Sequence, residues 1–185
     1  MKESMANFLK NLFDGRSATG ALPTGTPEAP LSGDVRALTV GDVVNHEGLD
    51  FVVQGTLRFE EGGFRWAEHL LVDPERRLWL SVEDDEGELE VVQWERGRGV
   101  GLEPGPKELA HEGVTYELDE RGTANFTSEG TTGAPGGGRA EYVDYAAGDQ
   151  RLGFERYSAE SQWEVSVGRR ISENVLDIYP AKVGT

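Results

Sequence analysis

The sequence has no cysteine, only three histidines and no long apolar run. Without cysteine, disulfides, thiol catalysis and thiolate metal ligands are excluded. His46, His69 and His111 show neither HxH nor HExxH spacing, so the local sequence predicts no metal site. No segment approaches the roughly 20 apolar residues of a spanning helix, and the N-terminus lacks the pattern of a signal peptide. We therefore expect a cytoplasmic protein.

Positive charge is also scarce, with 18 lysines and arginines against 34 aspartates and glutamates and a net charge of −16. The first 33 residues are neutral in sum, so the excess lies on the rest of the chain. Such a surface repels phosphate backbones and attracts cations or basic proteins. We predict no nucleic-acid partner, although acidity that only maintains solubility explains the same composition.

Motifs of the common enzyme classes are missing. There is no GxSxG, no GxGxxG after a strand and no P-loop. The glycine-rich segment 130–138 precedes a strand rather than a helix, so it predicts a hairpin loop and not a phosphate site. We predict a protein that is not an enzyme, with no catalytic residues and no cofactor.

Alternating apolar and polar residues dominate the stretch 50–94. Phe51, Val53, Leu57 and Phe59 fall on one side of an extended chain, and three further alternating runs follow after short turns. Turns of this length between such runs favour an antiparallel meander of four strands. The length of 185 residues suits one domain with a tail.

A looser copy of this pattern follows in the second half of the chain. His111-Glu112-Gly113 repeats His46-Glu47-Gly48, and two further pairs of segments match in the same order: 66–69 with 142–145, and 77–80 with 151–154. Two such units would bury their faces against each other. We predict an all-β domain over residues 38–180, a sandwich or partly closed barrel of two related antiparallel meanders, with halves at about 38–96 and 107–180.

The first 14 residues are predicted to form a short amphipathic helix. Its apolar residues recur at helical spacing, and residues 15–37 have the composition of a flexible linker. The helix suggests an anchor for a protein partner or a membrane surface, but it could equally fold back on the body or fray. The contact residues of this predicted anchor are Phe8, Leu9, Leu12 and Phe13.

Two carboxylates stand out because they interrupt apolar rows of predicted strands. These are Glu68 and Asp144, which the segment matching places at equivalent positions of the two halves. A desolvated carboxylate has a raised pKa and needs a donor or a cation, and Arg156 and Arg169 are candidate donors. A structural ion pair and a ligand-binding role both explain such residues.

Aromatic residues flank these carboxylates. Trp66 and Tyr142 each lie two positions from one of them, and Trp79 and Trp94 are near in sequence. Indole rings and carboxylates together are the components of a cage for an organic cation, although Trp66 and Trp79 also suit an ordinary core. The candidate ligand-binding set is Trp66, Glu68, Tyr142 and Asp144.

The runs GDVV, FVVQGTLRF, RWAEHLLVD, LWLSVE, HEGVTYEL and AEYVDYAA resemble the bacterial family known as domain of unknown function 4178. The resemblance spans roughly residues 38–180, with His69 where the family commonly has tyrosine. It implies a genomic setting near polyamine synthesis and membrane-stress genes, and it implies no activity or site residues.

Two functions fit this sequence. The first is a non-enzymatic accessory or adaptor protein, peripheral to the cytoplasmic membrane through its N-terminal helix and linked to membrane stress or polyamine systems. The alternative is a binding module for a small organic cation such as a polyamine, and an enzyme acting on such a cation is the weaker third hypothesis.

Overall fold

A computed structural model of the chain describes residues 33–97 and 101–181. This part contains no α-helix; it holds two short 3₁₀ helices, Val35–Ala37 and Glu173–Val175, and eleven strands. The strands are β1 (Val43–His46), β2 (Leu49–Glu61), β3 (Phe64–Val72), β4 (Arg77–Asp85), β5 (Glu88–Arg96), β6 (Glu108–His111), β7 (Val114–Gly130), β8 (Gly137–Ala147), β9 (Gln150–Arg156), β10 (Glu164–Ile171) and β11 (Leu176–Tyr179).

Eight of these strands form a closed antiparallel barrel. They follow the order β2-β3-β4-β5-β10-β9-β8-β7, and β7 pairs with β2 to close the ring. The closing ladder runs from Gly55 opposite Gly130 to Glu60 opposite Asn125. The predicted all-β class and the first meander are confirmed, whereas the alternative of two packed sheets is wrong because no free edge separates the halves.

Closure depends on bulges in β2 and β7. Each of these strands has a register shift, at Gln54 in β2 and at Asp119 in β7. Before its bulge β2 pairs with β1 and β7 pairs with β6, and after the bulges β2 and β7 pair with each other. A bulge bends a strand and increases its twist, which lets one strand serve two ladders. Gly55 is needed there, because a Cβ atom would lie 2.7 Å from the carbonyl of Thr131.

The predicted repeat is present in the geometry. Strands β6 to β10 follow the same antiparallel order as β1 to β5, and the bulge lies eight residues after the histidine in both halves. Both opening turns have two residues at positive φ, Glu47 and Gly48 in one half and Glu112 and Gly113 in the other. These dihedrals are those of a tight hairpin turn matched to the twist of the strands.

The register corrects one predicted correspondence. Leu71 pairs with Leu78, and Tyr145 pairs with Leu152 across a connection of the same length. The two hairpins therefore align without a gap, and Glu68 is equivalent to Tyr142 rather than to Asp144. The predicted match of 66–69 with 142–145 is therefore wrong by two residues, because it was based on residue type. The predicted match of 77–80 with 151–154 agrees with the register.

Apolar side chains on the outer surface of the barrel are covered by the additional strands. One cluster, including Phe51, Leu71 and Ile178, lies beneath β1, β11 and the first 3₁₀ helix, and a second, including Tyr145 and Phe154, lies beneath β6. The main hydrophobic cores thus lie outside the ring, which leaves its interior free for other residues.

The β domain begins earlier than predicted. Gly33 donates a backbone hydrogen bond to Ile178, and Val35 and Leu38 are buried in the first cluster. Residues 33–37 are therefore part of the folded domain and not of the linker. The predicted N-terminal helix, with Phe8, Leu9, Leu12 and Phe13, lies outside the described residues and stays a prediction. No helix in 33–97 or 101–181 is long and apolar enough to cross a membrane.

His69 makes the outer core sensitive to acid. It is 1% exposed, its Nδ1 atom lies 3.0 Å from the Thr56 hydroxyl, and burial lowers its pKa to about 4. The unfolded chain binds this proton near pH 6.5 and the folded chain does not, so stability is lost as the pH falls from 6.5 towards 4. We expect this residue to account for about 3 kcal/mol of that loss.

Chemical denaturation at pH 7 and pH 4.5 tests this expectation with His69→Gln, which keeps a partner for Thr56. The loss of stability on acidification should be smaller in the variant than in the wild type. An equal loss in both proteins would assign the acid sensitivity to other groups.

Candidate functional site

The interior of the barrel is a cavity of about 870 Å³. Alternate residues of each strand point inward, and in a small eight-stranded barrel these residues usually fill the interior. Here a cluster of large side chains fills only part of it, with Phe59 stacked on Trp66 at 5.0 Å and Trp66 against Tyr142 at 5.5 Å. The unfilled part, the lumen, is open to a ligand.

The lumen is strongly acidic. Ten carboxylate residues and four arginines line it. Buried carboxylates are usually paired with cations because desolvation penalises an isolated charge. The lining carboxylates are Glu61, Glu68, Glu83, Asp85, Glu90, Asp119, Glu120, Asp144, Glu155 and Glu164.

Three of these carboxyl groups, Glu68 on β3, Asp144 on β8 and Glu155 on β9, form the central group of the site. The Tyr157 hydroxyl donates to the Oε2 atom of Glu155 at 2.9 Å. Burial, reinforced by the charge of Glu155, raises the pKa of both Glu68 and Asp144 well above the usual range. Burial also raises the pKa of Glu155. These side chains are partly buried, and they line the lumen.

Three of the four lumen arginines, Arg96, Arg151 and Arg156, are engaged by carboxylates outside the central group. The fourth, Arg121, is exposed and forms no ion pair within the described residues, and the buried Nε atom of Arg156 has no hydrogen-bond partner there. Arg151 contacts Glu90 at 3.2 Å and donates to the carbonyl of Gly148 at 2.7 Å, and Arg96 contacts Glu164 at 2.5 Å. Among the ion pairs of the described residues, none involves a member of the central group. Its carboxyl groups are therefore not held by a direct ion pair within the described chain.

The Tyr142 hydroxyl forms hydrogen bonds with two further carboxylates of the lumen. Its hydroxyl lies 2.7 Å from Glu61 and 3.0 Å from Glu120, and the backbone N–H of Thr123 donates to Glu61 at 3.1 Å. Burial raises the pKa of Tyr142 far above its usual value, so the phenol keeps its proton as a donor. Gly122 provides the space, because a Cβ there would lie 2.7 Å from the Tyr142 hydroxyl.

Indole rings form the apolar part of the wall. Trp79 and Trp94 are cross-strand partners, and the Trp94 N–H donates to Ser81 at 2.9 Å, which fixes its ring. That ring lies over the backbone of Gly153 and Gly168, where a side chain would collide with it. The lumen therefore offers immobilised aromatic faces beside unpaired carboxyl groups, which is the arrangement that binds organic cations.

All four residues singled out from the sequence, Trp66, Glu68, Tyr142 and Asp144, line this one lumen. The predicted donors are wrong, however, because Arg156 pairs with Glu141 at 2.6 Å and lies over the Trp163 ring, while Arg169 is exposed.

Sequence reasoning missed Glu155 as a functional candidate. It alternates with Gly153, so its strand shows no apolar row on that side for a carboxylate to interrupt. The sequence does contain one indirect signal, because Leu152 and Phe154 alternate with Glu155 and form the buried outer face of the strand. Glu155 must then point to the other side of the strand. That side is the interior of the protein only if the strand belongs to a closed barrel.

The lumen carboxylates are not arranged as a metal site. In the part of the chain that the structure describes, no group of three or more histidine, aspartate or glutamate side chains is placed to hold a metal ion.

Comparison with known proteins places the chain in a family. The model of the Domain of unknown function (DUF4178) matches residues 39–173, which confirms the resemblance seen in the sequence. Uncharacterized protein Mb2628 of Mycobacterium bovis and Uncharacterized protein Rv2597 of Mycobacterium tuberculosis are each 40% identical over 178 residues, covering 90% of this chain and 85% of theirs. No solved structure matches the chain. The chain belongs to the family of the Domain of unknown function (DUF4178).

Proposed function

We propose that the β barrel binds a small organic cation in its lumen. The observation that carries this proposal is the central group of Glu68, Asp144 and Glu155, whose buried carboxyls have no cationic partner in the described chain. A folded protein gains nothing in stability from such a group, whereas a bound ammonium ion would neutralise it. Desolvated carboxyl groups with strongly shifted pKa values are concentrated at functional sites, where their destabilising effect is tolerated.

The walls favour an amine on an alkyl chain, such as a polyamine. Trp79, Trp94 and Trp66 supply aromatic faces for methylene groups and for cation–π contact. The volume of about 870 Å³ lies within the range of about 300–1,000 Å³ of small-molecule sites. Carboxylates beyond the central group, such as Glu83 and Glu120, would receive a second ammonium group.

Titration calorimetry of the full chain with spermidine tests the proposal. We expect saturable binding that persists in moderate salt, because a buried pair is screened little. Asp144→Asn should weaken it about 30-fold, the effect of losing about 2 kcal/mol from a buried charge contact.

The matched control is Glu88→Gln, which removes one exposed negative charge outside the lumen. It should leave the affinity unchanged. Heat that disappears in moderate salt and is equal in all three proteins would mean attraction to the acidic surface only, and would refute the proposal.

We further propose that the protein acts by binding and not by catalysis, in an accessory role in the cytoplasm. The amphipathic spacing of Phe8, Leu9, Leu12 and Phe13 in the sequence supports a partner or membrane contact at the N-terminus. Under this proposal the barrel senses a cation, and the N-terminal segment links it to its target.

A further inference from the structure

The two halves of the barrel differ at one edge of the sheet. In the first half β1 lies between β2 and β11, and Val44 of β1 pairs with both Phe51 and Ile178. In the second half β6 is the equivalent of β1, but it pairs only with β7 and is the last strand of the sheet. Among the described residues, no strand occupies the position beside β6 that corresponds to β11.

The register identifies the backbone groups on the outer edge of β6, the side that faces away from β7. The carbonyl of Lys107 accepts a hydrogen bond from the backbone N–H of Leu118 in β7 at 2.8 Å, so it points towards β7. Backbone groups alternate in direction along an antiparallel strand, so those of Glu108 and Ala110 point to the outer edge. Their equivalents in β1, counted back from the histidine of each opening turn, lie opposite residues of β11. The outer edge of β6 therefore corresponds to the edge on which β1 binds a strand.

Apolar cover is also less complete in the second half. β11 adds Leu176 and Ile178 to the first cluster, where only two of the apolar residues packed against the core are partly buried rather than buried. A strand beside β6 would add alternate apolar side chains to the second cluster in the same way. Six apolar residues around that cluster are only partly buried: Leu102, Val114, Leu118, Ala147, Trp163 and Val167.

An unpaired donor lies on the same outer face. The guanidinium of Arg156 pairs with Glu141 at 2.6 Å and lies over the ring of Trp163, which packs against the second cluster. Its buried Nε atom has no hydrogen-bond partner in the described part of the chain. Buried polar groups nearly always have such a partner in a complete structure. The outer face of the second half is thus incomplete in polar as well as apolar contacts.

We propose that the outer edge of β6 binds an extended peptide segment of a basic partner protein, which adds a strand to the sheet. In this mode of recognition backbone hydrogen bonds provide affinity and alternate side chains provide specificity. A segment in which leucine or isoleucine alternates with lysine or arginine would direct its apolar side chains to the second cluster and its charges to the exposed face. This interface lies outside the lumen and does not depend on the bound cation.

Charge selects this partner. The exposed residues around the edge are mostly acidic, and Glu108 lies opposite Glu117 in the register of β6 and β7. A second copy of the chain suits the edge less well, because its net charge of −16 would meet the same charge. The exposed carboxylates are Glu103, Glu108, Glu112, Glu117 and Asp119, and the exposed basic residues are Lys107 and, beyond the bulge of β7, Arg121.

Fluorescence anisotropy with the full chain and a labelled synthetic peptide of about eight residues, in which lysine alternates with leucine and isoleucine, tests the proposal. We expect saturable binding that Ala110→Pro weakens about tenfold, the effect of one lost backbone hydrogen bond. Proline removes the N–H on the outer edge and leaves the ladder to β7 in place.

The matched control is Ala110→Thr, which keeps this N–H and should bind like the wild type. A peptide of the same composition with its lysines in one block should bind more weakly than the alternating peptide. Equal binding by both Ala110 variants, or equal binding of both peptides, would refute the added strand.

Hydrogen exchange of the wild-type chain, followed by NMR, keeps the test valid if Ala110→Pro does not fold. The N–H groups of Glu108 and Ala110 should exchange fast without peptide, and that of Leu109 slowly. The alternating peptide should slow the first two selectively. Slow exchange of Ala110 in the monomer without peptide would show an edge that is already occupied. Sedimentation of the chain alone as a dimer that protects Ala110 would assign the edge to a second copy. Either result would overturn the proposal.

Discussion

Glu68→Gln is expected to make the protein more stable and unable to bind its ligand tightly. At neutral pH the folded protein must either keep a proton on Glu68 or bury its charge, while the unfolded chain simply ionises. The raised pKa of Glu68 therefore lowers stability, progressively as the pH rises above the ordinary carboxyl range. Glutamine has the same shape and does not titrate. We expect a gain of about 1–2 kcal/mol at pH 7.

Denaturant unfolding of the wild type, Glu68→Gln and Glu88→Gln between pH 5 and pH 9 measures this gain. The difference between wild type and Glu68→Gln should widen with pH, whereas Glu88→Gln should stay within about 0.5 kcal/mol of the wild type. Spermidine binding should fall about 30-fold or more in Glu68→Gln alone. A less stable variant that binds as well as the wild type would identify Glu68 as a structural residue.

Gly168→Val should close the lumen and destabilise the barrel. A Cβ at Gly168 would lie 2.7 Å from the Cδ2 atom of Trp94, so the indole ring must leave its position. Its hydrogen bond to Ser81 would break and the ring would move into the cavity. Forcing extra atoms into a packed site costs about 1–3 kcal/mol, and we expect the upper part of this range because valine adds two further methyl groups.

Near-ultraviolet circular dichroism and thermal unfolding report this change. The control is Gly136→Val, since a Cβ at Gly136 meets no atom within 4 Å and its φ is not in the left-handed region. This control should unfold like the wild type and bind spermidine normally. If Gly168→Val matches it in both stability and binding, the Trp94 ring is not a fixed wall of the site.

Both predictions concern the interior of the barrel, whose composition is unusual for this fold. A barrel of eight strands is most stable with a filled, apolar interior, yet this one holds an open cavity with unpaired carboxyl groups. Covering strands compensate by burying apolar residues outside the ring, in the clusters around Phe51 and Phe154. Two of the three hydrophobic clusters of the described residues therefore lie outside the ring, and the third fills only part of its interior.

Most strands of the fold could be predicted from the sequence, because alternation is a local property of an extended chain. The run from Phe51 to Phe59, for example, places its apolar side chains on alternate positions. The bulge at Gln54, which moves Phe51 and Phe59 onto different sides of the wall, could not be seen in that alternation.

Closure of the barrel was decided by the tertiary structure alone. It requires β2 and β7, which are more than sixty residues apart, to pair after their bulges. No local pattern encodes such a pairing, since any exposed strand edge can accept another strand. The close approach at Gly55 shows its constraint only when the partner backbone of Thr131 is present.

The sequence by itself determined that Glu68 and Asp144 are unusual, since each carboxylate interrupts an apolar row. It also determined the all-β class, the acidic character and the family. Only the tertiary structure decided that these two residues and Glu155 share one lumen and form no ion pair within the described residues. The reason is that a carboxylate looks the same in a sequence whether it faces bulk water or a cavity, and its solvation is set by strands that are distant along the chain.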